Sequence, residues 1–380
     1  MNKSSSPVQP QELYKKYNSL NIFGDDNLTR QYHAVSASLL NYLPHIPQNR
    51  HERIFKHTLL HQHLSMIEQN DLSVLKRTTI TGCKDHQWQE LKSNPAIICT
   101  FHTGSYRLIN LLLTKHKIPF SLAVANKVAS QQGDTFRTLH KQNTTDSEDA
   151  GFKLIDAEAP TAALQMLREL KKGHSLVIYV DGNTGSGTRT HQNENCLPVN
   201  FLHQQIAART GIGFLSHAAN VPVLPVISHR PSPQENILRF FDTVRPGDNE
   251  PRKDYTHRLM QHLYDLAAPY VHDYPCQWEA WLYLHKVAKI IHPLSIETET
   301  DPARKLSEKK YFIFNSKYYG LFKIAKKNYI FNKTNYITYP LSNDIYTLLY
   351  DAKENPIDKN HIHVNLLSQL LNNQIFVSVQ

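Results

Sequence analysis

At 380 residues the chain exceeds what one compact core usually accommodates, so two domains are expected, one large and one small. With 40 % apolar and 20 % charged residues it is globular rather than disordered. The formal charge of +9 suits acidic partners, from proteins to phospholipid headgroups and nucleic acid, or equally a surface that only aids solubility.

The polar N-terminus has no apolar leader core, and no apolar run reaches about 18 residues, so neither a signal peptide nor a membrane-spanning helix is expected. Residues 1 to about 30 read as a polar lead with one short helix. Residues 30–70 read as two or three helices interrupted by Pro44 and Pro47, and together these form an N-terminal helical segment over 1–70. From 71 to 295 strands and helices alternate. Strands are predicted at 96–101, 121–125, 175–180 and 221–227, and helices at 108–116, 159–172 (stopped by Gly173) and 206–219. This pattern predicts an α/β domain with a central, mostly parallel sheet flanked by helices. Ligands of such sheets sit beyond the carboxyl ends of the strands. His102 and Asp181 each follow a strand directly, so both face that crevice. After the linker-like TETDPARKLSEKK the composition turns rich in Tyr, Asn and Lys. The runs YFIFN, GLFKIA, NYIFN and NYITY read as strands, DIYTLLYDA and HVNLLSQLL as helices, and IFVSV as a last strand. Residues 296–380 are therefore expected to form a small α+β winged-helix domain.

The four cysteines (Cys83, Cys99, Cys196, Cys276) lie far apart, with no CxxC pair or Cys/His ligand spacing. No metal site or disulfide framework is expected, which fits a reducing cytoplasm. Cys99, inside the apolar run AIICTF, is expected to pack as a small hydrophobe.

The chemistry-bearing motif is CTFHTGSYRLINLLL. A neutral His102 imidazole can take the proton of an attacking hydroxyl or amine. The N–H groups at the expected helix start, near Ser105 and Tyr106, carry partial positive charge suited to an oxyanion. One such donor is worth roughly 2.7–4 kcal/mol in the transition state. Gly104 would let a substrate carbonyl approach the backbone. Among 22 histidines one at a strand end is cheap by chance, so the motif alone does not decide. The segment DGNTGSG after Asp181 has neither the GxxxxGK[ST] nor the GxGxxG register, so it reads as a loop bordering the site rather than a nucleotide cradle. Arg189 in that loop would meet phosphates of a ligand, with a solvated arginine as the equal alternative. Trp278 and Trp281, three apart on a presumed helix, are expected to pack against the sheet. Glu279 between them is expected to face elsewhere. Asp134, Arg137 and His140 follow helical spacing and read as a solvated face.

Four blocks in order resemble the lysophospholipid acyltransferase superfamily, and most closely its lipid A late acyltransferases. They are TTITGCKDHQWQELKSNPAIICTFHTGSY, APTAALQMLRELKKGHSLVIYVDGNTGSG, LPVNFLHQQIAARTGIGFLSHAANVPVLPVI and DYPCQWEAWLYLHK, spanning roughly 75 to 290. The resemblance implies that His102 is the catalytic base, that the donor is an acyl thioester on an acyl carrier protein or CoA, and that Asp181 and the 197–213 segment border the cleft. No bound cofactor is implied.

The sequence departs from the family in two respects. The family places Asp or Glu five residues after its histidine; here that residue is Arg107. An acid there orients the imidazole, whereas an arginine lowers its pKa through like-charge repulsion. Asp181 is the first candidate for the missing acid, and Arg107 would alternatively bind an anionic group of the substrate. The second departure is the lack of a predicted N-terminal anchor, which argues for weak or no membrane association and for a soluble small-molecule or peptide acceptor. The C-terminal module resembles PqqD-type peptide-binding winged helices, by the pattern from Leu341 to Leu349 and from Leu366 to Leu370. Peptide recognition by strand addition is expected over nucleic acid or purely structural packing. The lysines 309, 310, 317, 323, 326, 327 and 333 would suit phosphates but read as a solvated strand face. The enzymatic reading is acyl transfer to an amine or hydroxyl. Its competitor is an altered acyltransferase fold that serves as a binding or scaffold protein in a biosynthetic pathway.

Overall fold

The computed structural model describes residues 10–83, 85–142, 151–182, 195–294 and 309–379. Arg189, most of the glycine-rich segment and most of the expected linker lie outside these. The chain divides into two compact units, 1–19 with 56–289 and 20–55 with 290–380. The helical segment expected over 1–70 is thereby shared between them.

Among the described residues, three α-helices precede the first strand: α1 (Pro10–Asn18), α2 (Asp26–Tyr42) and α3 (His51–Glu68), with Pro44 and Pro47 in the break between the last two. Asp25 starts α2 by accepting hydrogen bonds from the N–H groups of Asn27 and Leu28. In the larger unit follow β1 (Thr78–Thr81), α4 (Asp85–Ser93), β2 (Ile97–Thr100), α5 (Leu108–Lys115), β3 (Phe120–Val124), α6 (Asn126–Gln142), β4 (Phe152–Asp156), α7 (Ala162–Lys171) and β5 (Ser175–Tyr179). Then come β6 (Cys196–Phe201), β7 (Gln204–Arg209), α8 (Gly211–Ala219), β8 (Val223–Ser232), β9 (Glu235–Phe240), α9 (Arg252–Asp273) and the short β10 (Ala288–Lys289).

Seven strands form the main sheet in the order β1-β9-β8-β2-β5-β3-β4. Every pair is parallel except β8 with β9. This is the central, mostly parallel sheet flanked by helices that the alternation of elements predicts. The interior strands β2 and β3 are buried along their whole length, as the apolar runs IICT and FSLAV require of strands covered on both faces. Cys99 packs there at 1 % exposure.

The helix expected over 206–219 is corrected: only its second half is helical. Residues 196–209 form the hairpin β6–β7, turned at Leu202 (φ 52°), in a separate antiparallel sheet with β10. The period-two burial of Val199 and Phe201, then of Ile206 and Ala208, is the strand signature that the helical reading overlooked. Trp278 and Trp281 also do not share a helix. Residues 275–286 wind through three short 3-10 turns.

The smaller unit contains β11 (Tyr311–Phe314), β12 (Tyr319–Ile324), β13 (Lys327–Asn332), β14 (Ile337–Leu341), α10 (Asn343–Glu354), β15 (Ile357–Asp358), α11 (Val364–Asn372) and β16 (Phe376–Val379). The strands form two antiparallel sheets, β15-β11-β16 and β12-β13-β14, around a core that includes Phe312, Phe314, Leu349, Leu367 and Phe376. Helix α2 belongs to this unit. Asn41 Nδ2 donates to the Lys333 carbonyl at 2.8 Å, Tyr336 Oη donates to Ser38 Oγ at 3.2 Å, and His33 packs onto Gly320. Lys333 is not on the solvated face expected of it. It is 1 % exposed, and its Nζ donates to the Ser316 carbonyl at 2.7 Å.

Among the described residues no helix is long and apolar enough to cross a membrane.

Candidate active site

The carboxyl ends of β2 and β5 lie side by side, next to the middle of β8, because Thr100 pairs with Tyr179 on one flank and with Val226 on the other. That register carries His102 and Asp181 to the same edge of the sheet. His102 Nδ1 lies 2.7 Å from Asp181 Oδ1, and the backbone N–H of His102 donates to both carboxylate oxygens at 3.1 Å. The carboxylate side chain is 3 % exposed and the imidazole 14 %. An ionised Asp181 requires the proton on Nδ1, so Nε2 carries the lone pair. The acid that the sequence lacks at position 107 is therefore within reach from position 181.

Trp278 completes the pair by donating its Nε1–H to Asp181 Oδ2 at 2.6 Å. Both Trp278 and Trp281 are buried and meet edge to face at 4.6 Å, and Trp278 packs on Phe201 of β6 at 5.1 Å. The contact of Trp278 with Asp181 left no trace in the sequence. The segment around it also grips the histidine turn. The Glu279 N–H donates to the His102 carbonyl at 2.8 Å, and the Gly104 N–H donates to the Gln277 carbonyl at 3.1 Å.

Three tyrosines surround the imidazole: Tyr106 at 4.7 Å, Tyr179 at 5.0 Å and Tyr283 at 6.3 Å between ring centroids. Burial raises the pKa of all three phenols, so each remains a protonated donor. Tyr179 was legible in hindsight, since it precedes Asp181 by two residues on a period-two strand. Glu279 also faces the site, contrary to expectation. It accepts from Tyr106 Oη at 3.2 Å and from Gln62 Nε2 at 2.8 Å.

These charges set the protonation of His102. Burial is the largest influence and lowers its pKa, but the charge and hydrogen bond of Asp181, with help from Glu279, more than offset burial. Arg107 takes a little back, and the net shift is upward. The like-charge effect expected of Arg107 is thus present in sign and outweighed. Arg107 itself bonds the Tyr106 hydroxyl through Nε at 3.0 Å and Gln69 Oε1 through Nη1 at 3.1 Å.

Three N–H groups of the 103–106 turn, where an oxyanion site is expected, are held by the protein itself. The Thr103 N–H donates to the Phe101 carbonyl, the Gly104 N–H to Gln277 and the Ser105 N–H to Ser228 Oγ at 2.9 Å. The helix begins only at Leu108. Gly104 is required for a different close approach from the one expected. At φ 54° a Cβ there would sit 2.8 Å from the Cα of His229 on β8. Ser105 is buried and its Oγ bridges Glu68 and Arg230, a pair joined at 2.7 Å with both side chains under 8 % exposed. Gly104 and Ser105 therefore anchor the turn and do not line the cavity, whereas Tyr106 and Arg107 do.

A cavity of about 280 Å³, open to solvent, lies beside His102. One wall is apolar, with Val124, Val128, Met166, Ile178, Ile212 and Leu215; His102, Arg107, Arg209, Glu279 and Tyr283 supply the polar part. Asp134 and Arg137 form an exposed ion pair at 2.9 Å, as a solvated helix face implies, while His140 on the same helix is buried.

Comparison with curated proteins gives no match. Residues 30–289 match the family model of the bacterial lipid A biosynthesis acyltransferases, and the chain belongs to that acyltransferase family.

Proposed function

We propose that this chain moves an acyl group from an acyl carrier protein or CoA thioester to an amine or hydroxyl on a soluble small-molecule or peptide acceptor, with His102 as general base. One observation carries the proposal: an imidazole paired with a buried carboxylate at 2.7 Å lines a cavity whose lining is largely apolar. The apolar wall suits an acyl chain and the polar part a thioester head. With Nδ1–H held by Asp181, Nε2 accepts the proton of the acceptor nucleophile, and the same carboxylate stabilises the resulting imidazolium. The formal charge of +9 suits an acidic carrier protein or the phosphates of CoA. Arg107 and Arg189 are the candidate contacts for those phosphates, and the cytoplasm is the compartment in which such donors occur. The C-terminal module would present a peptide acceptor by strand addition in the manner of PqqD-type winged helices.

The scaffold reading rests on Arg107 standing where the family has an acid. A carboxylate within hydrogen-bond reach of His102 favours the enzyme. The test is acyl transfer by wild type and His102→Ala across a panel of acyl-carrier-protein and CoA thioesters. Transfer by wild type that His102→Ala loses supports the proposal, and equal rates refute it.

A further inference from the structure

The attack on a thioester places negative charge on its carbonyl oxygen, and that oxygen needs a donor. The backbone N–H groups of Thr103, Gly104 and Ser105 are committed elsewhere. Among the side chains that line the cavity, Tyr106 gives its hydroxyl proton to Glu279. The Tyr179 hydroxyl accepts from Asn110 Nδ2 at 3.3 Å and so keeps its own proton, but it lies against α5. The Tyr283 hydroxyl is the one beside the imidazole, 3.3 Å from His102 Nδ1. Because Nδ1 holds its proton for Asp181, the Tyr283 oxygen can only accept from that ring. Its own proton is then left for another acceptor, in a side chain that lines the cavity.

We propose that the Tyr283 hydroxyl donates the hydrogen bond that stabilises the oxyanion formed when the thioester is attacked beside His102. This rests on the acyl-transfer reading. The acceptor O–H or N–H gives its proton to His102 Nε2 while its lone pair forms the bond to the carbonyl carbon. The C=O π pair moves onto oxygen, where the Tyr283 O–H meets it. As the carbonyl re-forms, the C–S bond breaks, and the departing thiolate takes the proton back from the imidazolium. Tyr283 keeps its proton throughout and acts only as a donor.

The experiment compares wild type, His102→Ala, Tyr283→Phe and, as a control, Tyr179→Phe on the acyl thioester that wild type turns over best. Tyr283→Phe is expected to lose about 10²-fold in kcat with KM changed less than about threefold. Tyr179→Phe is expected to lose far less. Tyr283→Phe that keeps kcat within about threefold of wild type, while His102→Ala is inactive, overturns the assignment and leaves the acyl-transfer reading standing. A loss carried by KM alone also overturns it. A wild type without transfer, or equal to His102→Ala, overturns both. Should Tyr283→Phe fail to fold, 3-fluorotyrosine at 283 keeps the ring and strengthens the donor. A changed kcat at constant KM then supports the assignment, and an unchanged kcat sinks it.

Discussion

The Trp278 indole, 1 % exposed, donates to Asp181 Oδ2 at 2.6 Å, while the other oxygen of that carboxylate faces His102 Nδ1 at 2.7 Å. A residue 97 positions away thus fixes the rotamer of the acid that orients the base. Trp278→Phe keeps an aromatic ring but removes the donor to a buried charge, a loss of about 1.5–3 kcal/mol. Transfer is expected to fall by about one to two orders of magnitude, with a lower melting temperature. Steady-state kinetics together with thermal unfolding check this, and unchanged kinetics would show that Asp181 holds its place unaided.

The raised pKa of His102 sets a pH dependence. The imidazole acts as a base only when neutral, so the transfer rate should climb with pH through a midpoint above the ordinary 6.5. Glu279→Gln removes one raising charge and should move that midpoint down. Asp181→Asn should move it further and lower the rate by about 10³–10⁴-fold, because the tautomer is lost as well. Stability runs the other way. A raised folded-state pKa contributes stability below the unfolded value, and that contribution fades as pH rises through the folded value. His102 NMR titrations in the three proteins read the midpoints directly.

Glu68 and Arg230 form a buried ion pair beneath the histidine turn, with Ser105 Oγ between them and Asn236 Nδ2 donating to Glu68 at 3.2 Å. Arg230→Met removes the buried partner of Glu68, leaving the partly exposed Arg77 at 3.4 Å as its ion partner, and should cost up to about 3 kcal/mol. Pairing it with Glu68→Leu should recover much of that loss. Denaturant unfolding of the two singles and the double closes the cycle, and additive losses would rule out the coupling.

Lys333 in the smaller unit has its pKa pushed down to about 7, first by burial and then by the charge of Lys353. The unfolded chain binds this proton more readily, so stability should rise as pH goes from 7 toward the ordinary lysine value of 10.5. Lys333→Met should flatten that slope. At pH 6 it should stabilise the protein by about 1–3 kcal/mol, since the penalty removed exceeds the one bond lost to Ser316. Melting curves across this range decide it.

Helix α2 packs on the C-terminal sheet so closely that a Cβ at Gly320 would lie 2.4 Å from His33 Cγ. Gly320→Ala should cost at least about 1–3 kcal/mol through overpacking. Adding His33→Ala should relieve part of it. A fragment limited to 296–380 should fold poorly alone and improve when 20–55 is supplied, which circular dichroism of the mixed fragments would register.

Periodicity and composition were enough to predict the α/β alternation, the parallel sheet, the short strands around 97–100 and 175–179 and the placement of His102 and Asp181 at strand ends. These follow from local patterns: β-branched runs, helical spacing, and a glycine at φ 88° that stops a helix at 173. The helix expected from 206 takes in the end of β7, Ile206–Arg209, because small residues such as Ala207 and Ala208 also satisfy a helical template.

Long-range partnership was decided only when the chain folded. Register across β2, β5 and β8 brings Asp181 to His102, and the turns at 275–286 then bring Trp278, Glu279 and Tyr283 around the pair. The same closure takes the N–H groups of Gly104 and Ser105 out of the site and pairs Glu68 with Arg230 across 162 residues. Local sequence determines which residues can form strands, helices and caps, since those depend on neighbours within a few positions. Which donor meets which acceptor depends on sheet register and side-chain packing, and those arise from contacts between segments that no local pattern encodes.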